Sequence, residues 1–322
     1  ESAAIGVKDD GTFVVSELEA FNITVDTING LSVGSSPTEY SPQFASEINH
    51  IPTYGQSLSI GALASPPIST TQPYDSIMFN SGVTVSGSRT SFTPMIEQSV
   101  ETPASGTAEA IKELIFEDDG LSYTSQSYQL LFSADGAGGR TIAQLAIGGS
   151  HYAKLTASMQ AGFDLAQASS KTFGVPAVTW TQGEADYSIG TTIATYKSAL
   201  SAMRTQIEST AAGIAGASDP LKMITYQLAS HKAYSVTYPT IALALLAASK
   251  EDEHIHLATP MYPFTHNASD NVHLTAASSK KLGFYYGLAC KRVIIDKQDW
   301  KPVMPISKTV QGKLALVRFN VP

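Results

Sequence analysis

Cysteine is nearly absent. Cys290 is the one thiol in 322 residues, so no intrachain disulfide can form and the redox compartment stays open. It lies in the apolar run GLACKRV and reads as a small buried hydrophobe. Charge is also scarce, at 15% of residues, and basic charge is the scarcer sign. The 20 Lys and Arg against 28 Asp and Glu leave a net charge of −8. Such a chain lacks the basic footprint that nucleic acid requires, so nucleic-acid binding is excluded as a principal role. Long hydrophobic runs are missing too. The longest, Ile241 to Ala248, falls far short of the ~20 residues that span a bilayer, and no membrane insertion is expected. No Gly-Lys-Ser or Gly-Lys-Thr follows the glycines at 136–139, which removes a phosphate-cradling loop. No secretory signal is visible, and with Glu1 in first place a removed leader or N-terminal part is expected. Glycosylation-type triplets at Asn22 and Asn267 are of a kind that arises often by chance.

What remains is ample for a large core: 34.1 kDa with 43% hydrophobic residues. Residues 1–45 form a β-rich arm. TFVVSEL and FNITVDTI alternate apolar and polar residues, with Asp-Asp-Gly and Asn-Gly as turn signals. The arm resembles β-rich segments of bacteriophage tail proteins; from its residues alone it is a β extension on the main domain. Residues 46–297 alternate strand and helix patterns. Strands are predicted at 49–55, 128–132, 175–180, 221–228 and 254–259. Helices are predicted around 111–120, 150–173, 193–207, 239–249 and after His273. Ile193, Tyr196, Leu200, Met203 and Ile207, spaced 3, 4, 3 and 4, make the clearest helical stripe. Residues 61–105 read as a long Ser/Pro/Thr-rich loop with one strand-like interruption, SIMFNSGVTV, and loops of that length are usually functional. The last helix should carry Leu282, Tyr285 and Leu288. Residues 298–322 return to β character, with a hairpin expected around Gln311-Gly312. The strand–helix alternation predicts an α/β fold, a parallel sheet with helices on both faces and ligands at the carboxyl ends of its strands.

The chemistry-bearing residues fall at those ends. The first strand stops at Gly55, and Gln56 and Ser57 follow at once. A glycine there permits a sharp turn, and a serine delivered by it is a nucleophile if a base takes its proton. Among seven histidines, His273 is the best base, because Asp270 three residues earlier can reach its Nδ1 and fix the tautomer. Taken alone, Asp-x-x-His also describes an Asp-capped helix start. Glu184 and Asp186, two apart, read as structural rather than as a glycosidase pair. His254, His256 and His266 lack a clear ligand set, and no metal is expected.

Four segments in combination resemble the SGNH/GDSL hydrolases. They are Gly55-Gln56-Ser57, Gly138-Gly139-Arg140-Thr141-Ile142, the stretch WTQGEAD (180–186) and Asp270-x-Val272-His273-Leu274. The likeness covers about residues 49–293 and is greatest to the branch of sialate O-acetylesterases and acetylxylan esterases. WTQGEAD is its most specific piece, and the Gly-x-Ser-x-Gly signature of α/β-hydrolases is absent. The resemblance implies a flavodoxin-like three-layer α/β/α sandwich with a five-stranded parallel sheet, flanked by the small β-rich ends. It implies Ser57 as nucleophile, His273 as base and Asp270 as its partner. Oxyanion donors would be the N–H of Ser57, the N–H of Gly139 (Gly138 as the alternative) and the side-chain amide of Gln182. Gln56, Arg140 and Glu184 are left as substrate-binding or structural, with Arg140 either pairing with Glu184 or facing the substrate. Leu58 stands where many relatives have asparagine, which bears on pocket shape.

The expected activity is removal of O-acetyl groups from a carbohydrate, a polysaccharide or sialic-acid-type substrate, with no cofactor. Two alternatives stand beside it: a lipase or thioesterase acting on longer acyl chains, and a glycan-binding virion or structural module with a vestigial site. The β-rich ends suggest attachment to a larger assembly and an extracellular or virion-associated location.

Overall fold

The computed structural model describes residues 43–216 and 219–320, together with the backbone of four short strands before them. Two compact units divide at Ser41 and Pro42. In the first, β1 (Ile5–Val7) pairs antiparallel with β2 (Phe13–Val15), and β3 (Thr27–Ile28) pairs with β4 (Leu31–Ser32). β2 and β3 fall within TFVVSEL and FNITVDTI; residues 16–26 between them lie outside the described residues.

The second unit is built on one sheet. Its strands are β5 (Ile48–Gly55), β6 (Ile77–Phe79), β7 (Phe92–Pro94), β8 (Gln129–Ala134), β9 (Phe173–Gly174), β10 (Ala177–Thr181), β11 (Lys222–Gln227) and β12 (Ile255–Pro260). They lie in the order β12-β11-β10-β5-β8-β6-β7, with β9 beside β5, and all pair in parallel except β7, which runs antiparallel to β6. The five predicted strands are the consecutive run β12-β11-β10-β5-β8, and their order is the flavodoxin-like one, reversing between β5 and β10. All eight residues of β5 are buried, as expected for a strand covered on both faces.

The five-stranded expectation is corrected at one edge. Residues 77–79 and 92–94, inside the segment read as mainly loop, extend the sheet beyond β8. β6 pairs N–H and C=O groups that β8 would otherwise leave open, β7 pairs with β6, and Ile77, Met78 and Phe79 are buried.

Seven helices complete the described unit: α1 (Pro103–Asp119), α2 (Ile142–Leu145), α3 (Ser150–Ala168), α4 (Glu184–Ser188), α5 (Ile193–Ala215), α6 (Thr240–Glu251) and α7 (Ala276–Cys290). α1 packs on α7, while α5 packs on both α3 and α6. On α5 the predicted stripe is buried at Tyr196, Leu200, Met203 and Ile207. On α7 the buried face is Leu282, Tyr286 and Ala289, whereas Tyr285 and Leu288 are half-buried. The face is turned by Gly283, whose missing side chain lets α1 approach. A Cβ there would lie 1.9 Å from the Pro103 carbonyl oxygen. Cys290 is fully buried, and that burial pushes its thiol pKa far up. β13 (Met304–Gln311) and β14 (Leu314–Asn320) form an antiparallel hairpin around Gly312-Lys313.

The long 61–105 segment is held down by two buried carboxylates. Glu101 accepts from Ile68 N, Ser69 N and Ser69 Oγ at 2.8, 2.9 and 2.6 Å. Glu97 Oε1 accepts from Thr102 N, Thr102 Oγ1 and Ser105 Oγ at 3.1, 2.5 and 3.0 Å, beside the start of α1. Burial pushes the Glu97 carboxyl up to about 8; the Thr102 hydroxyl opposes this and the neighbouring Glu101 adds to it. The folded carboxyl therefore keeps a proton that the unfolded chain releases near 4.5. The corresponding stability is present at acid pH and is lost as pH rises from 4.5 through about 8. Glu97→Gln is expected to flatten this part of the pH dependence, read as the urea midpoint between pH ~5 and ~9. An unaltered slope would refute the assignment.

Candidate active site

The site lies at the carboxyl ends of β5 and β10, where the strand order reverses and a parallel sheet opens a crevice. β5 and β10 come unusually close there. Gly55 has φ +144°, and a Cβ on it would lie 2.1 Å from the Thr181 carbonyl oxygen. Only glycine fits. The chain then crosses to Gln56, whose N–H donates to Thr181 O at 2.9 Å, and enters a single 3-10 turn, Ser57–Ile60. Gln56 Oε1 accepts from Gly183 N at 3.4 Å and Ala185 N at 3.2 Å. Its amide oxygen thus ties the serine segment to the one that follows β10.

The second contributor is the loop between β12 and α7. Asp270 Oδ1 accepts from Val272 N at 2.9 Å and His273 N at 3.0 Å, which closes one tight turn. The three-residue spacing so folded brings Asp270 Oδ2 to 2.5 Å from His273 Nδ1. On the other side of the ring, His273 Nε2 stands 2.8 Å from Ser57 Oγ. Desolvation works against the Asp270 charge. The donors of Val272 and His273 outweigh it and hold the carboxyl below its usual range. Serine, imidazole and carboxylate form one hydrogen-bonded line across 216 residues of sequence separation.

The glycine loop after β8 supplies free donors. Asp135 N and Ala137 N bond Thr53 O and Gly55 O, each at 2.9 Å, and so lay the loop along β5. Of the two glycines that follow, Gly138 faces the serine, a Cβ on it lying 3.8 Å from Ser57 Cβ; a Cβ on Gly139 would meet nothing within 4 Å. Among the described residues, the backbone N–H groups of Ser57, Gly138 and Gly139 donate to no protein acceptor.

Gln182 is placed otherwise than expected. Its side chain is fully buried, and both amide hydrogens are engaged, by Arg140 O at 3.0 Å and Asp186 Oδ2 at 2.6 Å. Its Oε1 accepts from Tyr196 OH at 2.7 Å. Reversing the amide would set Oε1 against the Asp186 carboxylate, so this orientation is enforced. In this arrangement Gln182 braces the glycine loop through Arg140 O and has no hydrogen left for an oxyanion. Asp186, also buried, accepts from Ile142 N at 2.9 Å and Thr191 Oγ1 at 2.8 Å.

Glu184 does not pair with Arg140, which is exposed and forms no ion pair among the described residues. Tyr226 OH donates to both Glu184 oxygens, at 2.9 and 2.8 Å, and Ser230 Oγ lies at 3.4 Å. Burial pushes this carboxyl up to about 7 against those bonds. Tyr196 and Tyr226 were not legible as site-bracing residues. One read as part of a helix stripe and the other as a strand residue, and no local spacing links them to WTQGEAD. The described residues contain no group of three or more His, Cys, Asp or Glu side chains able to hold a metal.

No family model matches the chain, and no curated protein matches it. Solved structures do. A protein from Arabidopsis thaliana superposes with a TM-score of 0.53 at 13% identity, covering 76% of this chain and 97% of that one. NanS gives a TM-score of 0.48 at 12% identity over 75% of this chain and 96% of its own. A carbohydrate acetylesterase from Xanthomonas citri gives 0.47 at 13% identity over 85% of this chain and 62% of that one. At such identities the likeness is one of fold. The shared fold is a mixed α/β architecture with a mostly parallel central sheet.

Because a Cβ at position 55 would overlap the Thr181 carbonyl, Gly55→Ala is expected to force β5 from β10. The unfolding midpoint should fall by roughly 10 °C or more. A variant with the parent's midpoint in a thermal scan would contradict the packing described.

Proposed function

We propose that this chain is a serine ester hydrolase that removes acetyl groups from an O-acetylated carbohydrate. The observation that carries the reading is the line Ser57 Oγ, His273 Nε2, His273 Nδ1, Asp270 Oδ2, with distances of 2.8 and 2.5 Å at its two hydrogen bonds. A serine hydroxyl bonded to an imidazole that a carboxylate orients is an activated nucleophile.

In this reading Ser57 Oγ attacks the acetyl carbonyl carbon while His273 Nε2 takes its proton. Asp270, held ionised by the backbone of its own turn, stabilises the imidazolium and keeps Nδ1 protonated. The carbonyl oxygen becomes an oxyanion and accepts from Ser57 N–H and from the glycine loop. Gly138, the nearer neighbour, is the first choice there and Gly139 the second. His273 returns its proton to the departing sugar oxygen, leaving an acetyl ester on Ser57. Water, deprotonated by the same imidazole, then hydrolyses that ester and releases acetate. Preorganised amide donors of this kind are worth about 10²–10³ in rate. Gln182 enters as the brace of the glycine loop. The carbohydrate and acetyl parts of the reading rest on the resemblance of Gly55-Gln56-Ser57 and WTQGEAD to the sialate O-acetylesterases and acetylxylan esterases.

Ser57→Ala is expected to lower hydrolysis of an aryl acetate by roughly 10⁴-fold or more, and Asp270→Asn by about 10³–10⁴-fold, with both variants folded. Full activity in Ser57→Ala would sink the proposal. Acetate release from a set of O-acetylated polysaccharides, beside aryl esters of increasing chain length, tests the substrate. A preference for long chains would redirect the reading to a lipase or thioesterase. Glycan binding without Ser57 labelling by an organophosphonate would redirect it to a binding module.

A further inference from the structure

We infer that Asn267 is a positioning residue that clasps the loop of the base to the loop of the nucleophile. The inference rests on the proposed serine-hydrolase reading and extends it to a residue outside the four motifs.

Ser57 and His273 come from separate segments, one after β5 and one after β12. Nothing covalent holds Oγ and Nε2 at 2.8 Å. Among the described residues, two hydrogen bonds join the 56–64 segment to the 261–275 loop. One is the Ser57–His273 contact itself, which must break and re-form during turnover. The other runs from Asn267 Nδ2 to Leu63 O, at 3.2 Å. It is the polar tie that stays made while the first one reacts.

Both ends of this tie are fastened to the reacting groups. On the base side, Asn267 N donates to His273 O at 2.6 Å, and Asn267 O accepts from Asn271 N at 2.9 Å and Asp270 N at 3.4 Å. Asn267 Oδ1 accepts from Ser269 N at 3.0 Å, which orients the amide so that Nδ2 faces Leu63. An isolated bridge between His266 and Leu274 flanks the turn. Motion of Asn267 therefore moves Asp270 and His273 with it.

On the nucleophile side, Ala62 N donates to Ser57 O at 3.0 Å and Ala64 N to Gly61 O at 3.0 Å, so the segment turns back on the serine. Leu63 itself has φ +63°, a left-handed conformation that is unfavourable for a non-glycine residue. Such a conformation persists when surrounding bonds over-determine it. The Asn267 bond, accepted by the carbonyl of Leu63 itself, is one of those. The same side chain is the first residue of the Asn267-Ala268-Ser269 triplet, but its amide is already committed here.

The chemistry of the clasp needs a neutral amide of this length. Aspartate keeps the size but replaces the donor with an acceptor that faces the Leu63 carbonyl and adds charge next to Asp270. Alanine removes the donor without adding charge. Displacement of a catalytic group by about 1 Å costs roughly 10²-fold in rate.

The test measures kcat, KM and the rate of Ser57 phosphonylation by a fluorophosphonate in Asn267→Asp and Asn267→Ala, alongside Ser57→Ala. Each Asn267 variant is expected to lose roughly 10- to 100-fold in kcat and an equal factor in phosphonylation rate per folded molecule, with KM within about threefold of the parent. A purely structural role would lower the unfolding midpoint and leave phosphonylation of the folded fraction unchanged, which overturns the clasp. Should Asn267→Asp fail to fold, the rates of Asn267→Ala decide between the two outcomes. Loss of labelling in Ser57→Ala with parental rates in both Asn267 variants overturns the clasp and leaves the hydrolase reading standing. Retained activity in Ser57→Ala overturns both.

Discussion

The meeting of two backbones at the end of β5 and β10 governs this molecule. Gly55 lies so close to the Thr181 carbonyl that no side chain fits between them. Because the strands can close there, Ser57 and the Gln182 segment emerge side by side at the point where strand order reverses. The glycine loop is then laid against β5 by Asp135 N and Ala137 N. Three of the four contributing segments are thus placed by main-chain geometry of the sheet itself. A site built on strand ends inherits the rigidity of the core beneath it.

The fourth segment is different in kind. Among the described residues no hydrogen bond ties the loop carrying Asp270 and His273 to β5, and its own bonds run within the loop and to Ser57, Leu63, Gln227 and Ser278. That contrast explains where precision has to be added. An imidazole that shuttles a proton between Ser57 and a leaving group must stay within hydrogen-bond reach of both. The Asn267 clasp would supply that constraint from outside the reacting atoms.

Buried carboxylates do much of the bracing in a chain with little charge. Asp186, Glu184, Glu97 and Glu101 are all buried, and each gathers donors around it. Asp135 does the same just past the end of β8, accepting from Ser133 Oγ and Ser158 Oγ at 2.6 and 2.7 Å. Burying a carboxylate is costly unless its oxygens are satisfied. Their contribution is geometric: Asp186 orients Gln182, Glu97 ties the start of α1 to the long loop, and Glu101 fastens the same loop at residues 68 and 69. The raised pKa values of Glu97 and Glu184 record the residual desolvation cost.

Much of this was legible in the residues. Hydrophobic periods and turn residues located the five consecutive strands from β12 to β8 and the long helices, because parallel strands buried on both faces and amphipathic helices leave strong local patterns. The spacing of Asp270 and His273 also foretold their contact, since a three-residue turn is a local event. The short strands at 77–79 and 92–94 were not fully legible, because an edge strand of three residues is selected by the partner it covers. Nor was the face of α7, which depends on how closely α1 can approach Gly283.

What the sequence by itself determined is the alternation of strands and helices, and hence which residues fall at strand ends. Tertiary structure alone decided which donors are free. Gln182 reads as an oxyanion donor from its motif, yet Asp186 and Arg140 take both its hydrogens. Gly138 and Gly139 are equivalent in sequence and both keep a free N–H, yet a Cβ only on Gly138 would come within 4 Å of Ser57. Hydrogen-bond capacity is a finite quantity shared among neighbours in space, and no local pattern records how it is divided.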